Sequence, residues 1–168
     1  MESRVKFLGH PIHPMLIVVP LGSFISAVIL DAVFMWSGNT ALGVVGFWNI
    51  AIGVIGGLLA AAFGFVDWLE IPRGTRAKRI GLLHGATNVV VVGIFAAVWL
   101  GRNATVDRLP TSTYLTAEFG ALLLAMVAGW LGGELVDRLG VGVDEGANLN
   151  APNSLSGRPA GAVAPRRQ

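Results

Sequence analysis

Four long, uninterrupted apolar stretches constrain this chain more than any other feature. A bilayer core about 30 Å thick takes roughly 20 apolar residues to cross as a helix. Segments at about 14–36, 42–66, 80–100 and 114–136 meet that length. The first is interrupted only by Asp31 and the second carries no charge; the third holds His84 and Asn88, the fourth Glu118 and Glu134. The runs are continuous rather than alternating and about twice the length of a barrel strand. The expected fold is therefore all-α, a four-helix transmembrane bundle. Charged residues make up 13% of the chain, against about 25% in soluble domains. That shortage leaves too little polar surface for a water-soluble enzyme, and the apolar content excludes a disordered chain. The chain has no cysteine, which removes disulfides, thiolate metal sites and cysteine nucleophiles. The first segment follows Arg4 and Lys6, as a signal peptide would. Its length, Pro20 and continuation through Asp31 to an aromatic end, with no small-x-small cleavage site, favour a retained helix.

The basic residues set the expected topology. Ten of the 12 Lys and Arg fall in the N-terminal segment, the second connection and the C-terminal segment, leaving Arg102 and Arg108 in the third connection. Lys and Arg accumulate on the cytoplasmic side. Both termini are therefore expected in the cytoplasm of a bacterium, with the bundle in its inner membrane. The pI of 9.7 then reflects topology and contact with anionic lipid rather than nucleic acid. Trp36, Trp48 and Trp99 mark the outer helix ends, and Trp68 and Trp130 the inner ones, where indoles favour the interface. Short connections make sequence neighbours antiparallel, in up-down-up-down order. Glycine pairs four apart (Gly53 and Gly57, Gly81 and Gly85, Gly129 and Gly133) allow close helix approach, within one bundle or in a homo-oligomer. The membrane domain spans residues 1–143. Residues 144–168 are rich in Gly, Pro, Asn, Ala and Ser and read as a disordered cytoplasmic tail. A faint repeat is visible: helices one and three each carry a histidine near the inner end, and helices two and four each end in an aromatic-and-acid cluster.

Polar residues inside lipid are costly and often mark function. Here they form two layers. The inner layer holds His10, His13, Asp67, His84, Asn88 and Glu134, at least one from each helix or its mouth. Three uses of the histidines compete. They cap helix ends and bond Asp67 or Glu134; or His13 and His84, with His10 in reserve, ligate a haem b iron; or His10, His13 and His84 hold a divalent metal with Asp67 or Glu134. In the haem reading Asn88 is a hydrogen-bond partner. The outer layer holds the carboxylates Asp31 and Glu118, which either share a proton or reach the interface or a donor on Asn49 or Thr113. Phosphate loops, nucleophile elbows and zinc-protease motifs are absent from the sequence. Asn103-Ala-Thr105 matches a glycosylation sequon.

Several motifs together resemble one family. Gly-His-Pro-Ile-His-Pro-Met-Leu-Ile-Val-Val-Pro-Leu-Gly (9–22) is similar to the opening of the DUF2231 family of bacterial membrane proteins. Gly-Phe-Val-Asp-Trp (64–68), His-Gly-Ala-Thr-Asn (84–88), Gly-Trp-Leu-Gly-Gly-Glu-Leu-Val (129–136) and Gly-Val-Gly-Val-Asp (140–144) look like its later motifs. The resemblance implies a four-helix integral membrane domain. Some members are fused to a Rieske iron–sulfur domain, which implies a redox setting and a membrane redox partner. The leading expectation, drawn from the convergence of the inner polar layer at one depth, is a small redox or cofactor-binding membrane subunit. A non-enzymatic scaffold or accessory subunit is the main alternative, and a proton or small-solute transporter a further one.

Overall fold

The computed structural model describes residues 1–162. A two-residue antiparallel pair, β1 (Lys6–Phe7) and β2 (His10–Pro11), precedes the helices. The first span, Ile12–Ser37, is built from α1 (Ile12–Leu16) and α2 (Val18–Ser37). Pro20 accounts for the break between them, because it has no N–H to donate to Leu16 and its ring crowds that carbonyl. Next come α3 (Thr40–Glu70), α4 (Arg76–Asn103) and α5 (Ser112–Gly133). A π-helical turn, Glu134–Arg138, extends the last span.

Each span outruns its apolar stretch by one to a few residues at either end, because apolar patterning marks only the part matched to hydrocarbon. The true ends are set by polar caps. Asn39 Oδ1 accepts from the Ala41 N–H, and the Thr75 hydroxyl from the Lys78 N–H. Thr111 does the same for the Tyr114 N–H. Such caps satisfy backbone donors that the helix leaves open.

All four spans are long and apolar enough to cross a membrane. Large apolar side chains such as Val89, Leu123 and Met126 point outward, which water would penalise and lipid does not. The buried core is narrow: Phe24, Ala27, Val28, Ile50, Val91, Phe95, Val98 and Ala121. Helix α2 packs along α3 and α4 along α5, with α3 against α4 joining the two hairpins. Of the glycine pairs, Gly53 lies against the Phe24 ring, Gly57 against Val92 and Gly81 against Trp68. Gly85 and Gly129 face open space.

The faint repeat has a structural counterpart. His13 meets His84, Phe24 stacks on Phe95 with centroids 3.9 Å apart, and Asp31 pairs with Arg102. Every one of these pairs is separated by 71 residues (13 to 84, 24 to 95, 31 to 102). The two hairpins thus place corresponding residues against each other in three layers along the bundle.

The N-terminal segment and the residues that follow the last span lie at one end, called here the terminal end. The Met1 ammonium donates to Gly140 O at 3.0 Å, and the Gly142 N–H to Met1 O at 2.9 Å. Lys6 bridges Glu2 and Asp144, and the Glu145 N–H donates to Glu2 Oε1. Residues 144–162 hold one short 3-10 turn, Ser154–Ser156. The end of the expected tail, 163–168, lies outside the described residues.

Candidate functional site

The histidine layer sits toward the terminal end. His13 lies in α1, just before Pro14, and its ring rests on Gly64 of α3. A Cβ at Gly64 would stand 2.8 Å from His13 Cε1, so only glycine leaves the seat open. His13 Nδ1 lies 2.8 Å from Ala60 O, four residues before that glycine. The second hairpin repeats the device. His84 of α4 rests on Gly132 of α5, and its Nδ1 lies 2.9 Å from Ala128 O, again four residues earlier. A carbonyl only accepts, so in each ring Nδ1 carries the proton and Nε2 carries the lone pair. The two rings meet edge to face, centroids 6.4 Å apart and planes at 87°. Asn88 Nδ2 lies 3.0 Å from the His84 carbonyl and 3.3 Å from His84 Nε2.

The rest of the inner layer is engaged elsewhere. His10 is exposed on β2, its Nε2 3.3 Å from Ser154 Oγ. Asp67 accepts from Ser3 Oγ at 2.7 Å and from the Arg4 N–H at 3.2 Å, anchoring the N-terminal segment. Glu134 pairs with Arg76 at 2.6 Å. Among the described residues, no three of His, Asp and Glu converge in a way that could hold a metal ion. The structure therefore brings together His13, His84 and Asn88, and leaves His10, Asp67 and Glu134 on other partners. Gly64 and Gly132 seat the imidazoles themselves.

At the far end of the bundle, Asp31 and Glu118 are fully buried together with Arg102. Arg102 Nη1 donates to Asp31 Oδ2 at 2.5 Å, and Nη2 donates to Gly43 O at 2.7 Å. Nε donates to Arg108 O at 3.0 Å. Two expectations are corrected here. Neither carboxylate reaches the interface, and Asn49 donates instead to Val45 O. Arg102, read from the sequence as a loop cation, lies in the last turn of α4 at the centre of the cluster. Two sequence signals point to it. The α4 pattern runs on through Gly101, and Arg102 stands at the repeat position of Asp31. Trp99 lies near the far end of α4, its ring on Phe47 and its Nε1 buried without a partner.

A family model described as "Predicted membrane protein (DUF2231)" matches residues 9–145. That span contains His13, His84, Asp31, Arg102 and Glu118. No curated protein and no solved structure matches the chain.

Proposed function

Since the chain belongs to the DUF2231 family of predicted membrane proteins, we propose that it is a small redox subunit of the membrane whose His13 and His84 ligate a haem iron. One observation supports this above the rest: two half-buried imidazoles from separate hairpins meet each other, each with Nδ1 tied to a backbone carbonyl. That tie fixes the tautomer and orients the ring, as it does in metal-ligating histidines generally. It leaves Nε2 as the basic nitrogen of each. The donor set fits haem better than a bare divalent ion: His13 and His84 would supply two neutral imidazoles, whereas a protein-held zinc takes three or four ligands.

The neighbouring residues have defined tasks in this reading. Ala60 and Ala128 hold the rings through their carbonyls, Gly64 and Gly132 give them seats, and Asn88 would release His84 Nε2 to the iron and keep its bond to the His84 carbonyl. A bound haem would supply one-electron transfer, and its partner would be another membrane redox protein. The terminal end, with its excess of Lys and Arg, faces the cytoplasm.

Purification in mild detergent tests this directly. The expected product shows haem absorption, or metal in stoichiometric amount, which His13→Ala and His84→Ala each abolish while the helical circular dichroism persists. A colourless, metal-free and stable product would overturn it. The scaffold alternative has its own supporting observation. The Nδ1 bonds cross from α1 to α3 and from α4 to α5, so they also staple each hairpin. In that case His84→Ala lowers the melting temperature of a protein that never carried a cofactor.

A further inference from the structure

The far-end cluster has no part in the histidine site, and its charges do not balance as drawn. Asp31 of α2, Arg102 of α4 and Glu118 of α5 are each 0% exposed. The Arg102 donors go to Asp31, Gly43 O and Arg108 O. Its Nη1 stands 3.5 Å from Glu118 Oε1, and neither Glu118 oxygen has a hydrogen-bond partner. An ionised carboxylate without a donor is among the least tolerated groups in a low-dielectric interior. One guanidinium neutralises one carboxylate, and Asp31 holds it. The surroundings offer Glu118 no second cation. Helix α3 presents the Gly43 carbonyl here, and its only ionisable side chains, Asp67 and Glu70, lie at the opposite end. The α4–α5 connection contributes the Arg108 carbonyl, while the Arg108 guanidinium lies over Phe47 and Trp48. What Glu118 does face is the Asp31 side of the guanidinium: Asp31 Oδ2 and Glu118 Oε1 stand 2.5 and 3.5 Å from the same Arg102 Nη1.

We propose that this cluster is a proton-binding site: one proton is held between Glu118 and Asp31, Glu118 being the acid that donates it and Asp31 the carboxylate that accepts it beside Arg102. The proton comes from water, and with it bound the three side chains sum to zero charge. The arrangement gives each carboxyl a partner and leaves no uncompensated ion in the membrane interior. Glycine at position 46 belongs to the site, because a Cβ there would strike the Asp31 carboxyl.

Infrared spectroscopy of the purified full-length protein in lipid, at neutral pH, reads this site directly. The wild type is expected to show the carbonyl band of a protonated carboxyl, shifted in heavy water. Glu118→Gln should lose band amplitude equal to one carboxyl per chain, and Glu134→Gln should lose none. A wild type without the band overturns the proposal without need of any variant, and so does a Glu118→Gln protein that keeps the full amplitude. If the Gln variant does not fold, Glu118→Leu gives the same reading with an apolar side chain of similar size. None of these outcomes depends on whether His13 and His84 carry a cofactor.

Discussion

At the scale of single residues, the molecule depends on side chains seated where only glycine leaves room. Gly64→Ala places a methyl 2.8 Å from His13 Cε1, so the ring must leave its seat and the bond to Ala60 O. We expect a loss of about 1–3 kcal/mol, as for other overpacked sites, together with loss of any haem signal. Gly132→Ala is milder, since His84 Cε1 lies 3.2 Å away. Gly85→Ala, with nothing within 4 Å, should stay within about 1 kcal/mol of wild type. Thermal unfolding in detergent ranks the three, and equal losses at positions 64 and 85 would refute the seating argument. Arg102 is the other critical residue. Arg102→Leu leaves Asp31 buried without its cation, which should cost about 3–5 kcal/mol. Asp31→Asn combined with Arg102→Leu should recover much of that loss, and a double-mutant cycle with no coupling would show that the pair is not formed. The histidines and carboxylates of these sites were legible in the sequence because ionisable residues in apolar runs are rare. Ala60 and Ala128 were not legible, because they act through carbonyls that every residue possesses.

Elements show where sequence patterning stops. The four spans follow from apolar length alone, yet their ends lie several residues beyond the apolar runs, at Asn39, Thr75 and Thr111, because capping is set by hydrogen bonding rather than by hydropathy. The layers of the repeat were equally hard to read. Asp31 and Arg102 occupy equivalent positions with opposite charge, so a search for like residues passes over the pair that joins the hairpins most firmly. The tie between the termini carries a pH dependence of its own. The bond from Lys6, followed by that from the Glu145 N–H, holds the Glu2 carboxyl below its ordinary 4.5. Asp144, followed by Glu2, holds the Lys6 ammonium above its ordinary 10.5. For Glu2 the contribution is complete above the ordinary value and lost as pH falls through the lowered one. For Lys6 it is complete below the ordinary value and lost as pH rises through the raised one. The tie should therefore hold across the neutral range and open at both extremes. Amide exchange at Gly142 and Glu145, whose N–H groups donate to Met1 O and Glu2 Oε1, should speed up in acid beyond the intrinsic rate. Lys6→Gln should show that faster exchange already at neutral pH. Exchange that Lys6→Gln leaves unchanged would assign the tie to its backbone bonds alone.

For the whole molecule, the decisive quantity is which way the bundle faces, because it fixes whether the histidine layer opens to the cytoplasm or away from it. The structure puts the N-terminal segment, the residues after the last span and the α3–α4 connection at one end, and the α2–α3 and α4–α5 connections at the other. Hydrophobic burial cannot choose between the two orientations, since lipid presents the same hydrocarbon to either. The charges can choose. The described terminal end carries Arg73, Arg76, Lys78 and Arg79 in and after a single connection. At the far end, Arg102 is buried and neutralised by Asp31, leaving Arg108 as the cation of that connection. Correcting Arg102 from loop to core thus sharpens the asymmetry that retains positive loops in the cytoplasm. Because the chain has no cysteine, single introduced thiols report topology without background. Val106 is fully exposed in the α4–α5 connection and Pro72 exposed in the α3–α4 connection, so Val106→Cys and Pro72→Cys sample the two ends. In intact cells a membrane-impermeant maleimide should label position 106, and position 72 only after lysis. The reverse pattern would place the histidine layer on the outer side and remove the cytoplasmic assignment. Labelling at both positions in intact cells would deny the bundle a single orientation.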